Sequence, residues 1–310
     1  MSNIVSRRRI SAAVAGATLS LIGLAASACS SGASGDTAGA ISVVASTSVY
    51  GDITAQIAGT LAGRKVKITS IISDPHADPH SYEANTRDAL AISRADLVIE
   101  NGGGYDDFMN TMRSSAGGNA KVLDAVDVSG KKAAAGSDLN EHVWYDVVTV
   151  QKLAVRITDD LVKSDPADAG TFRANARGFA GKLGALAATE ARIKAAHAGT
   201  AVAVTEPVPL YLLEACGLVN KTPLGFSHAV EAGTDVSPRV LQQTEQLFSG
   251  RQVALLAYNE QTSDRQTDQV LAAARSHGIP VVPVTETLPA GKNYVTWMAG
   301  NLAAVKSAVG

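Results

Sequence analysis

The feature that most constrains this chain is an alternation of short β-branched runs with helix-spaced segments, which begins at Ile41, breaks off, and begins again past residue 198. Ile41-Ser42-Val43-Val44-Ala45 reads as a strand closed by Ser46-Thr47-Ser48, and Val49 to Leu61 then has helical spacing. Further strands are expected at Val66 to Ile72, Leu97 to Glu100 and Lys121 to Leu123, with helices at Thr86 to Ser93 and Asp106 to Ser114. Strands that alternate with helices pair in parallel through right-handed crossovers, so residues 41–166 are expected to form an α/β lobe. A helix over Val147 to Val162 stops at Asp165-Pro166, and residues 167–197 form a longer helical stretch weakened by Gly178, Gly181 and Gly184. At about 1.5 Å per residue it is on the order of 40 Å long, enough to cross between lobes. In residues 198–310 the alternation resumes. Strands are expected at Ala201 to Val204, Val253 to Tyr258 and Pro280 to Val284, and helices at Pro209 to Ala215, Pro238 to Phe248, Asp264 to Ser276 and Tyr294 to Val309. The expected fold class is α/β: two Rossmann-like lobes with parallel sheets, joined by a long rigid helix, with the site in the cleft where strand ends meet.

A chain of 310 residues with 46% hydrophobic content can bury a core of that size. Its formal charge of -2, with Lys and Arg scattered, lacks the basic stripe of a nucleic-acid binder. Arg7, Arg8 and Arg9 precede an apolar stretch from Ile10 to Ala26, and the small residues Ser27-Ala28 lead to Cys29. This is the pattern of an export signal over residues 1–28, too diluted by Ser, Thr and Gly for a membrane span. The cysteine after two small residues resembles a lipoprotein box, departing from it at Ala26, where Leu is usual. It implies an exported chain lipid-anchored at Cys29 on the outer face of the cell membrane. Residues 29–40, rich in Ser, Gly and Ala, then act as a flexible tether. The other cysteine, Cys216, reads as a small buried hydrophobe at a helix end.

Four segments carry polar chemistry. Ser73-Asp74-Pro75-His76-Ala77-Asp78-Pro79-His80-Ser81-Tyr82-Glu83 follows a strand, and its prolines hold two imidazoles in a stiff loop. His142 precedes Val143-Trp144 at the start of a helix, where it could bind, cap or pack. Glu206 and Glu286 each stand just past an apolar strand, in Val204-Thr205-Glu206-Pro207 and Val284-Thr285-Glu286-Thr287, facing the cleft or capping a helix.

Together these segments resemble the metal-binding solute receptors of zinc and manganese ABC importers, the cluster A-I lipoproteins. The resemblance runs from about Ile41 to the C-terminus and is sharpest in Asp78-Pro79-His80-Ser81-Tyr82-Glu83, His142-Val143-Trp144 and Thr205-Glu206. It implies four metal ligands: His80, His142, Glu206 and Glu286. The last departs from the pattern, since Asp is usual there. The resemblance further implies one divalent ion, zinc before manganese, no catalytic activity, a monomer, and an ABC permease with its ATPase as partners. His76 is at most an accessory, and His197, His228 and His277 fall outside the ligand motifs. Residues 131–140, where zinc members often carry a histidine-rich loop, contain no histidine.

Two imidazoles and two carboxylates suit Zn²⁺ or Mn²⁺ rather than Cu(I), and the acids neutralise a divalent charge. Single-oxygen binding by both acids gives a tetrahedral, zinc-like site, whereas two-oxygen binding raises coordination towards manganese. A metallohydrolase is the main rival, but neither a His-Glu-x-x-His helix nor a Gly-x-Ser-x-Gly elbow occurs. An organic-solute receptor or a metal-containing adhesin is the other, and the low aromatic content argues against an organic ligand.

Overall fold

The strands of the computed structural model are short and parallel, and the inner ones are buried on both faces, as crossover sheets flanked by helices require. The structure describes residues 39–77, 79–133 and 138–310. The expected export signal, Cys29, nearly all of the tether and Asp78 lie outside the described residues.

The first sheet contains β1 (Ile41–Thr47), β2 (Val66–Ile72), β3 (Leu97–Glu100) and β4 (Lys121–Asp124), in the order β2-β1-β3-β4. Val43, Val44 and Ala45 are all buried, because β1 is an inner strand covered by helices on either side. The second sheet contains β5 (Ala201–Val204), β6 (Val219–Asn220), β7 (Leu256–Asn259) and β8 (Val281–Val284), in the order β6-β5-β7-β8. The two sheets thus share one topology, and each reverses its winding between its first strand and the third. Open α/β sheets form their ligand crevices just beyond the carboxyl ends of strands at such a reversal.

Helix Ala169–His197 joins the halves and runs on through all three suspect glycines. Gly178, Gly181 and Gly184 lie on its exposed face, where no neighbour demands a hydrogen in place of a side chain. Its buried stripe, Phe172, Phe179, Leu183, Leu186 and Ile193, follows three- and four-residue spacing. That stripe belongs to one apolar cluster holding Val43 and Ile99 of the first sheet, Val204 and Ala257 of the second, and Trp297 of the closing helix Tyr294–Val309. The described residues accordingly belong to a single compact unit. Cys216 is buried at the end of helix Leu210–Ala215, as a small hydrophobe would be.

Three short elements were not visible in the sequence pattern: helix Ala125–Ser129, strand β6 and helix Leu224–Glu231. The last of these matters for the site.

Candidate metal site

His80 and His142 come from loops of the first half. β2 ends at Ile72, and the following loop forms a single 3-10 turn, Pro79–Ser81, that carries His80 with a ring 24% exposed. His142 immediately precedes a second 3-10 turn, Val143–Tyr145, and is 0% exposed. The two rings are edge to face with centroids 6.2 Å apart, and Tyr105 packs edge-on against both.

Asn140 sets the orientation of the buried imidazole. Its Nδ2 donates to the Pro207 carbonyl at 3.1 Å, which fixes the amide so that Oδ1 faces His142 Nδ1 at 2.8 Å. Nδ1 therefore carries the proton and donates it to Asn140, leaving Nε2 with its lone pair. Nε2 is buried and has no hydrogen-bond partner. Burial, followed by the charge of His80, pushes the His142 pKa well below the usual histidine value, so the ring is neutral. A buried, neutral imidazole with a fixed tautomer and an unmet nitrogen is a ready metal ligand, since an orphaned polar atom otherwise has a cost.

Glu206 and Glu286 come from the second half, two residues past the ends of β5 and β8. They are 2% and 0% exposed. Between them stands Asn259, the last residue of β7, whose register sets it beside Val284 of β8 while Ala257 lies beside Val204 of β5. The Asn259 amide donates to Glu206 Oε2 at 2.7 Å and to Glu286 Oε1 at 2.8 Å. The Thr262 hydroxyl also donates to Glu206 Oε2. The other oxygen of Glu286, Oε2, lies 3.7 Å from His80 Nε2. Neither acid caps a helix, so the cleft-facing alternative describes both.

Two further carboxylates stand at the same centre. Glu141 precedes His142, and Glu231 ends helix Leu224–Glu231. One donor atom from each of His80, Glu141, His142 and Glu231 can be chosen so that all lie within 4.8 Å of one another. Glu231 was missed because a short helix after Pro223 containing Gly225 gives little periodicity, and an acid at a helix end reads as surface. The one available signal was His228, three residues earlier and on the same helix. His76 is exposed and lies outside this group. His197 and His277 stand at helix ends, each partly exposed.

Hydrogen bonds between the halves hold the site shut. Gln261 Nε2 donates to the Ala77 carbonyl at 2.8 Å and to Pro75 at 3.2 Å, on the His80 loop, while Gln261 Oε1 accepts from the backbone N–H of Glu286. Tyr145 donates to the Thr285 carbonyl at 2.7 Å, and Tyr211 to that of Asn140 at 2.6 Å.

Among solved structures, the fold is similar to the periplasmic zinc binding protein TroA from Treponema pallidum, with a TM-score of 0.74 at 20% identity over 87% of this chain and 99% of that one. Among curated proteins, the manganese-binding lipoprotein MntA of Halalkalibacterium halodurans is 32% identical over 143 residues, 45% of each chain. The iron-binding protein YfeA of Yersinia pestis is 30% identical over 157 residues, 49% of this chain and 48% of its own. The chain spans about half the length of the curated relatives it matches. The family model described as zinc-uptake complex component A, periplasmic (ZnuA), matches residues 43–308, and the chain belongs to that family.

Proposed function

We propose that this chain is an exported receptor that captures one divalent transition-metal ion between its two halves and delivers it to an ABC permease and its ATPase. His80, His142, Glu206 and Glu286 are the ligands in this reading, and the ion is cargo rather than a catalyst. The observation that carries it is the approach of His80 Nε2 to 3.7 Å from Glu286 Oε2, with the His142 ring edge to face with that of His80 and Asn259 tying Glu286 to Glu206. Family membership and the metal-binding names of the relatives support it.

Zinc comes before manganese as the cargo in this reading. Asn259 donates to one oxygen of each acid and so holds the pair at one place. Two nitrogens and two single oxygens make a four-coordinate set, which suits zinc, whereas manganese prefers more oxygens. In this reading the mature chain begins at Cys29 and carries lipid there, so that the tether lets the receptor reach a permease in the same membrane.

The test is calorimetric titration of metal-free protein with Zn²⁺ and with Mn²⁺. One equivalent of zinc should bind, more tightly than manganese, and His142→Ala should lose it without unfolding. A His142→Ala variant that binds zinc as the parent does would overturn the assignment.

A further inference from the structure

Glu231 has no part in the ligand set above, yet it turns into the same centre. Its Oε1 lies 3.8 Å from His142 Nδ1, is buried, and has no hydrogen-bond partner. Nδ1 already donates to Asn140 at 2.8 Å, so Glu231 is a neighbour of this ring rather than its partner. A group of acids alone would say little. Here Glu231 lies beside His142, which is 0% exposed: Glu231 Oε1 and His142 Nε2 are both buried without hydrogen bonds of their own, and a donor atom of each of His80, Glu141, His142 and Glu231 lies within 4.8 Å of the others.

A cavity of about 250 Å³ leads to this point, with His80, Glu231 and Thr262 among its lining residues and the acids Asp235 and Asp264 beside them. Thr262 donates on to Glu206, so one lining residue is in contact with the inner acids. Acid-lined clefts with low-dielectric walls raise the local concentration of cations.

Resting on the reading that the centre carries a metal cargo, we propose that Glu231 contacts the ion as part of an outer donor set. His80, Glu141, His142 and Glu231 receive the ion from this cavity before Glu206 and Glu286 complete its coordination. Both imidazoles belong to both sets, so the ion advances by exchanging one pair of carboxylates for another.

The test is stopped-flow mixing of metal-free protein with Zn²⁺, with equilibrium affinity measured alongside by chelator competition. Glu231→Gln keeps the shape and replaces the carboxylate donor with an amide, and Asp235→Asn does the same to an acid elsewhere in the cavity lining. Zinc association by Glu231→Gln should slow about 10-fold, with a smaller change in affinity and little effect from Asp235→Asn. Equal slowing in the two variants would reduce Glu231 to a contributor to the general field and overturn the proposal, as would unchanged association in Glu231→Gln. In either case, loss of zinc by His142→Ala leaves the receptor reading standing. Retention of zinc by His142→Ala removes both.

Discussion

The second-half acids hang from strand ends, whereas the first-half imidazoles hang from loops. Glu206 and Glu286 are 2% and 0% exposed and share one amide from the strand between theirs. His80 rides a 3-10 turn with its ring 24% exposed, and the oriented ring of His142 depends on an asparagine that reaches across to Pro207. The acids are therefore preorganised by the sheet itself, while the imidazoles are placed by contacts that bridge the halves.

The sharpest way to break that contrast is His142→Ala, expected to weaken zinc binding at least about 100-fold, more than the loss of any supporting group. Titration calorimetry reads it directly. Next is Asn259→Leu, which leaves both acids present and removes their shared donor. An affinity loss of about 10- to 100-fold is expected, and Asn140→Ala should match it from the other half. If Asn259→Leu costs nothing, the sheet does not orient the acids and the contrast fails.

A buried acid away from the centre supplies a control. Glu190, on the long helix, is 7% exposed with Oε1 lacking a hydrogen bond, and burial raises its pKa to about 7 from 4.5. Its folded value exceeds its unfolded one, so it contributes stability below about pH 4.5 that is lost as pH rises towards 7. Glu190→Gln should remove that part of the pH dependence of thermal unfolding, with zinc present or absent. The smallest effect concerns the helix between the halves. Gly181→Ala, on an exposed face with open space, should stabilise by up to about 1 kcal/mol in denaturant unfolding and leave affinity unchanged.

Much of this architecture was legible because it obeys local rules. The β-branched runs at Val66–Ile72 and Ala201–Val204 and the proline-terminated helix before residue 166 appear where their periodicity places them. Strand β7 was expected from Val253 but begins at Leu256, after a bend in the backbone at Ala254. In the site, His80, His142, Glu206 and Glu286 were each visible as a polar residue next to an apolar element or a proline. Asn259 and Glu231 were not. An asparagine ending a strand reads as a turn former, and its role depends on register between three strands that are remote in sequence.

The apolar stripe of helix Ala169–His197 shares its interior with both sheets. Swinging the halves widely apart would tear that interior and expose Phe179 and Leu183 to water, at a cost of about 1.5–3 kcal/mol for each large side chain uncovered. If the centre carries the proposed cargo, its exchange would consequently be a matter of side chains and loops shifting around a fixed spine. In the receptor reading, a partner that sorts full from empty would then have to read the relief around the mouth of the crevice rather than the outline of the molecule.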